Sequence, residues 1–400
     1  MTEATALAVS VCRCRGREST AGMLWRVWLF LAVLGVLVVV TGRLPVDDAL
    51  DIGVHRAGPI LGFLVAVTVL AELADKAGVF DMAAHYCARL ARGSTPLLFV
   101  LVASLATVTT VTMSLDTTAV LLTPVVLATV ERLGLAAVPF ALLVVWLANT
   151  ASLLLPVSNL TNLLAADHTG LTAWEFAVRM ALPQLVAVVL TVGFLGAVFG
   201  RSLRGRYQVS AFAGPADRFL CLVCASACLG FAAAVAVGVP PWQAATAGAL
   251  VAVTAFVLRA REYLRPALLP WRLVITTEGL FLVVTALLHQ GLGDLLTQWV
   301  DGSGLRTVFV SAAAANLVNN LPAYLAMETT VPADDPARVW PVLLGTNIGP
   351  LVTMWGSLAT LLWADRCRAR GVHIGAGRFA ALGLVGVPLI LGVTWATVVR

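Results

Sequence analysis

Along this chain apolar residues gather in runs of about twenty, separated by short polar segments, which is the run length of a helix crossing a hydrocarbon core of roughly 30 Å. Barrel strands would show apolar/polar alternation in segments of about ten residues, and no such alternation is visible. The pattern predicts helices over 23–41, 57–75, 138–166, 172–199, 217–237, 241–258, 272–289, 338–363 and 378–398. Two further stretches, 95–133 and 305–328, are too long for one helix and too interrupted for two comfortable spans. They read as re-entrant hairpins, the first entering from the cytoplasm and the second from outside.

Charge placement then orients the chain. Arg13, Arg15, Arg17 and Arg26 flank the first helix, which sets the N-terminus inside by the positive-inside rule. The basic loops Arg201/Arg204/Arg206/Arg218, Arg259/Arg261/Arg265/Arg272 and Arg366/Arg368/Arg370/Arg378 then all fall on the cytoplasmic side. The acidic loops Asp47/Asp48/Asp51 and Asp334/Asp335 fall outside, as does the C-terminus. Two ordinary crossings in place of each hairpin give the same sidedness, so charge alone does not establish re-entrance.

Composition agrees with a membrane location. Hydrophobic residues are 60% and charged residues 12% of the chain, with a mean hydropathy of +0.94; a soluble domain carries roughly a quarter charged residues. The net charge of +5 sits in loops between apolar runs, a mark of topology, so no nucleic-acid partner is expected. The expected location is the inner (plasma) membrane, crossed many times. Of seven cysteines, Cys221, Cys224 and Cys228 lie at helical spacing in an apolar run, where packing between helices is the favoured reading over thiolate ligation. Cys12 and Cys14 belong to a basic cytoplasmic leader, 1–22. The run from Leu24 to Val40 exceeds a signal-peptide core and reads as a retained first helix.

An internal duplication is the next signal. Ala74 to Tyr86 and His289 to Trp299 each follow a membrane helix, share Gly-x-x-Asp (Gly78/Asp81 and Gly291/Asp294), and read as interfacial turns. After each come a hairpin candidate, a helix interrupted in its middle, and a last full span. The expected fold is therefore an all-α polytopic membrane protein with two inverted repeats, each holding a re-entrant hairpin and a broken transmembrane helix. The expected segments are the leader 1–22, a first repeat 23–200, a cytoplasmic linker with connecting helix 201–240, and a second repeat 241–400. Inverted repeats with interrupted helices are the sequence mark of secondary transporters, with the site at the interruptions.

Four interruptions break the apolar pattern at membrane depth. They are Ser114-Leu115-Asp116-Thr117-Thr118; Pro156-Val157-Ser158-Asn159-Leu160-Thr161-Asn162; Asn316-Leu317-Val318-Asn319-Asn320-Leu321-Pro322; and Gly345-Thr346-Asn347-Ile348-Gly349-Pro350, continuing to Thr353 and Gly356-Ser357. Backbone freed from helix bonding survives there only when it lines protein or a wet cavity. Ser, Thr and Asn are good N-caps, so each break is expected to start a half-helix. The candidate substrate and ion ligands are Ser114, Asp116, Thr117, Thr118, Ser158, Asn159, Thr161, Asn162, Asn319, Asn320, Thr346, Asn347, Thr353 and Ser357. For any one of them, plain helix–helix hydrogen bonding is the ordinary alternative. Asp116 and Glu278 read as the two carboxylates deep in the membrane, and an acid there by default marks an ion or proton pathway. Both are proton-coupling candidates. Glu72 and Asp75, at a helix end, read as solvated acids. No Lys or Arg reaches mid-membrane, which disfavours a strongly charged polyanion.

The segments ADKAGVFDMAAHYCARL, SLDTTAVLLTPVVLA, ANTASLLLPVSNLTNLLAADHTG, PWRLVITTEGLFLVV, NNLPA and GTNIGPLVTMWGSLATLLW carry a family resemblance. The chain resembles the ArsB arsenite permeases of the ion transporter superfamily, which also holds divalent anion/sodium symporters. The resemblance covers nearly the whole chain. It implies the inverted-repeat fold, coupling to an ion gradient, and export of As(OH)₃ or Sb(OH)₃, and some such permeases dock a soluble ATPase. Where the family has Asn-Asp this chain has Leu115-Asp116, and its Asp-Leu-Gly-Pro-Lys is here Asn347-Ile348-Gly349-Pro350-Leu351, so an acid and a base are lost together. Its Pro-Ile pair is Met354-Trp355.

The leading expectation is ArsB-like, proton-coupled efflux, since neutral trivalent arsenite is a small triol that hydroxyl and amide groups can hold. The alternative is a sodium-coupled transporter of a small anion such as sulfate or a di- or tricarboxylate, using half-helix N-termini. An intramembrane enzyme would need a metal cluster or a nucleophile–base pair. The histidines His55, His85, His168, His289 and His373 all lie at or near helix ends, which disfavours that reading. Expected partners are membrane lipid, the small inorganic or anionic substrate, a coupling proton or sodium ion, a second copy of the chain and, from the resemblance, an ATPase. No cofactor or metal is expected.

Overall fold

The apolar runs fold as helices whose ends are set by glycine, proline and hydroxyl side chains. A computed structural model describes residues 29–208, 214–300, 304–332 and 334–398. The leader 1–22, with its cysteines and arginines, and the first residues of the first helix lie outside the described residues.

The chain begins with α1 (Leu29–Val40) and α2 (Val46–Leu50), then a π-helical turn at Asp51–Arg56. There follow α3 (Ala57–Lys76), α4 (Val79–Leu90), α5 (Thr95–Thr112), α6 (Leu115–Thr117), a π turn at Thr118–Leu122 and α7 (Thr123–Arg132). Next come α8 (Ala137–Thr150), α9 (Leu160–Thr169) and α10 (Ala173–Val198). Two helices, α11 (Arg218–Ala236) and α12 (Pro241–Arg259), connect this series to a second. The second series is α13 (Trp271–Leu287), α14 (Gly293–Trp299), α15 (Gly304–Val318), α16 (Asn320–Glu328), α17 (Val339–Ile348), α18 (Leu358–Ala369) and α19 (Ala376–Val398). From α3 and from α13 the order is the same: a span, a short helix, two helices joined by a tight turn, a helix pair with an irregular break, and a last span.

Local chemistry explains the boundaries. Thr172 and Glu175 form a capping box at the start of α10, with Thr172 N–H donating to Glu175 Oε2 at 2.9 Å. Gly170 ends α9 in the left-handed region, at φ 66°. In α4 the buried positions Phe80, Ala84 and Ala88 recur every four residues, giving the one-sided helix expected of an interfacial turn.

Seven helices are long and apolar enough to cross a membrane among the described residues. One of them is α5 alone, about 27 Å long by helical rise. The stretches 138–166 and 338–363 are each two helices, α8/α9 and α17/α18, separated by irregular backbone.

By internal packing the chain divides into two compact units that cut across the sequence halves. One contains the described part of Met1–Leu61 with Pro270–Leu292. In it α1 crosses α13 at paired glycines: a Cβ on Gly35 would lie 2.8 Å from Gly279 Cα. Small residues permit such close approach in membranes, where dispersion and not exclusion of water drives helix contact. The second unit, Gly62–Leu269 with Gly293–Arg400, is built on α8, buried at every residue from Pro139 to Thr150, and α17. A Cβ on Gly345 would run into Val308 O of α15, so this glycine sets the approach of α17 to α15. Outer helices α10 and α19 expose Leu182, Leu185 and Val189, and Leu384, Val385 and Leu389, as a lipid-facing surface requires. Cys221 and Cys224 are buried, and Cys224 lies among the side chains that pack α11 against its neighbours.

Candidate transport site

All four interruptions lie in the second unit, and side-chain amides satisfy the backbone that they free. In the break between α8 and α9, Gln184 of α10 accepts from Leu153 N–H at 2.9 Å and donates to Ala151 O at 2.8 Å. Asn162 Nδ2 donates to Ser152 O at 2.6 Å and to Leu155 O at 2.9 Å. In the break after α17, Asn316 performs the same double service. Its Nδ2 donates to Gly349 O at 2.7 Å and its Oδ1 accepts from Thr353 N–H at 2.8 Å. Orphaned backbone groups in hydrocarbon would each cost several kcal/mol, on the order of 2–7. These carboxamides remove that cost.

The two breaks meet at Asn347, the last-but-one residue of α17. Its Oδ1 accepts from Asn159 Nδ2 at 3.0 Å and Thr161 Oγ1 at 2.7 Å, and its Nδ2 donates to Asn162 Oδ1 at 2.7 Å. All four residues are buried. Every heteroatom of Asn347 is thereby used, and the ring of donors and acceptors carries no formal charge.

The first turn is sharp. Eight residues of straight helix span about 12 Å, yet Thr110 Oγ1 and Thr118 Oγ1 lie 2.9 Å apart. Ser114, at φ 147°, reverses the chain and caps α6, its Oγ accepting from Thr117 N–H at 3.2 Å. Ser158 Oγ donates to Val111 O at 3.0 Å, which ties this turn to the first break. Asp116 is half-buried between buried Leu115 and Thr117, and its carboxylate makes no hydrogen bond or ion pair among the described residues. At the second turn Asn319 (φ 88°) donates from Nδ2 to Trp355 O at 3.0 Å. Asn320 is buried at the start of α16.

Half-helices start at Ser114, Asn159, Asn319 and Ser357. Three of these residues cap by side chain, Asn159 to Thr161 N–H at 3.4 Å and Ser357 to Thr360 N–H at 3.1 Å. Asn319 does not cap α16, because its side chain is spent on the second break.

Not every candidate ligand enters this network. Thr346 Oγ1 turns back to Val342 O of its own helix at 2.9 Å, which fixes its hydroxyl away from the Asn347 cluster. Thr353 pairs with Asn316. Glu278 belongs to the other unit, where its Oε1 lies 2.5 Å from the position of a Cβ on Gly53 and its Oε2 is buried without a partner. Asp75 is half-buried and sits 3.8 Å from Lys76 Nζ.

Two residues of this network, Gln184 and Asn316, are not among the candidate ligands. Gln184 was visible as a lone amide following Pro183 inside an apolar helix, and Asn316 as a polar residue one turn before Asn319-Asn320. Glu328, 5% exposed at the end of α16, is a further acid enclosed by protein.

Comparison with known proteins follows the same lines. Residues 20–337 match the family model described as "CitMHS: Citrate transporter". The arsenical pump membrane protein of Escherichia coli K12 is 29% identical over 361 residues, covering 83% of this chain and 84% of that protein. An uncharacterized transporter of Mycobacterium tuberculosis is 26% identical over 387 residues, with 89% of each covered. The crystal structure of the Alcanivorax borkumensis YdaH transporter, described as having an unusual topology, superposes with a TM-score of 0.52 at 15% identity. That superposition covers 95% of this chain and 97% of the other, and at this identity it speaks for the fold alone. With the helical architecture and the paired breaks, these matches show that the chain is a multi-pass integral membrane transporter belonging to the CitMHS citrate-transporter family of the ion transporter superfamily.

Proposed function

We propose that this transporter exports arsenite and antimonite across the inner membrane by a proton-coupled cycle. The observation that carries the reading is the Asn347 knot: two broken helices joined by carboxamides and a hydroxyl, with no Lys or Arg in the network. Neutral As(OH)₃ offers three hydroxyls, each donor and acceptor, which can take over the bonds that these side chains make to one another. A tricarboxylate would bring three negative charges to a site without a fixed cation, at a desolvation cost that helix N-termini offset only in part. The relatives named as arsenical pumps support the same choice of solute. Asp116 is the proposed proton carrier, since its half-buried carboxylate has no partner to hold it in one charge state. The two series of helices are proposed to be inverted in the membrane, with the tight turns after α5 and after α15 re-entering from opposite sides, the N-terminus inside and the C-terminus outside.

A second reading, sodium-coupled transport of a small anion, is favoured by the family description and by the capped half-helices at Ser114, Asn159 and Ser357. Expression in a bacterial host lacking its own arsenite exporter separates the two. Restored growth on arsenite, with lowered cellular arsenic, is the expected result. Unchanged sensitivity at full membrane expression would remove the arsenite reading.

A further inference from the structure

Outside the breaks, one buried ionisable cluster joins the two repeat-like series. Glu328 ends α16, the return arm of the second tight turn, and its side chain is 6% exposed. Among its partners are Tyr324 Oη, which donates to Oε1 at 3.3 Å, and His168 Nδ1, 3.7 Å from the same oxygen. His168 lies near the end of α9, the second half of the first broken helix, and its side chain is 25% exposed. The carboxylate is thus enclosed, while the imidazole beside it is partly exposed.

We propose that His168 and Glu328, oriented by Tyr324, form a proton-dependent latch that fastens α16 to α9. Both helices start at a break that carries candidate site residues, Asn320 on α16 and, at the start of α9, its cap Asn159 with Thr161 and Asn162, and both end at this pair. Six residues of helix, about 9 Å, separate Asn162 from His168. The pair therefore positions the return arm without touching the solute.

Histidine is the side chain that changes charge across the physiological range. With His168 protonated, the enclosed carboxylate faces a cation at ion-pair distance. With His168 neutral, that attraction between α9 and α16 is gone. The latch is closed at low pH and loosens as pH rises. The other ionisable groups on the elements packed around the pair are Asp167 on α9, Asp294 on α14, Arg306 on α15, and Arg338, which pairs with Asp335 at 3.2 Å. α17 carries none.

The test is hydrogen exchange of the full chain in lipid nanodiscs without solute, at pH 6 and pH 8, with rates corrected for intrinsic pH dependence. It needs no transport and so stands or falls apart from the arsenite reading. In the wild type, protection of amides 325–331 is expected to fall about tenfold from pH 6 to pH 8, as for loss of a partly enclosed ion pair. His168→Lys, with a fixed cation, should hold high protection at both values, and His168→Gln and Glu328→Gln low protection at both. Protection in α8 reports that each variant is folded. Equal wild-type protection at pH 6 and pH 8, or a wild-type drop retained by His168→Gln, would overturn the proposal.

Discussion

Among single residues, Asn347 matters most, because both its carboxamide oxygen and its nitrogen are bonded to the other break. Removing Asn347 leaves Asn159, Thr161 and Asn162 each short of a partner, and a buried unsatisfied polar group costs about 1–3 kcal/mol. Asn347→Ala is therefore expected to lower the midpoint of thermal unfolding in detergent by several degrees, measured by tryptophan fluorescence. Asn347→Asp, which restores the acid that the ArsB pattern carries here, makes a sharper test. A carboxylate can accept from Asn159 and Thr161 but cannot donate to Asn162 Oδ1, and Asn162 cannot turn over without releasing Ser152 O and Leu155 O. Only the protonated acid completes the knot. The stability deficit of Asn347→Asp should be small at low pH and grow as pH rises, and a deficit independent of pH would contradict the bonding scheme. Asp116→Asn changes no hydrogen bond, so it should fold as the wild type does while losing proton-driven accumulation.

At the level of the helices, each break holds a side chain from a neighbouring helix that satisfies two freed backbone groups, Gln184 in the first and Asn316 in the second. Gln184→Ala strands Leu153 N–H and Ala151 O, and Asn316→Ala strands Thr353 N–H and Gly349 O. The two variants are expected to show similar losses of about 2–5 kcal/mol each, read as destabilisation in denaturant. A near-neutral effect of either one would mean that water reaches the break it serves. Helix positions and the breaks themselves were legible in the sequence, because hydropathy and the Pro, Gly and Asn clusters are local signals. Which break meets which was not. Asn347 bonds to residues 185–188 positions away, and no periodicity encodes that pairing. The cap at Ser357 could be read from Ser-x-x-Thr spacing, whereas the failure of Asn319 to cap follows from its bond to Trp355 O, a tertiary fact.

At the scale of the whole molecule, the duplicated order of helices predicts opposite orientations for the two series and an odd number of crossings. A reporter fused after Arg400 should behave as extracytoplasmic, and cytoplasmic activity would require a different membrane threading of the same helices. The division into a unit around α1 and α13 and a larger unit holding all four breaks was not legible in sequence order, since packing cuts across the halves. The larger unit is expected to move a neutral hydroxylated solute against its gradient at the expense of protons. The most direct measurement is flux into proteoliposomes of the purified protein under an imposed pH gradient, comparing arsenite, citrate and sulfate, with and without sodium. Gradient-dependent arsenite accumulation is expected, abolished by Asp116→Asn and unchanged by sodium. Sodium-dependent accumulation of citrate or sulfate, with arsenite at the level of empty liposomes, would contradict it.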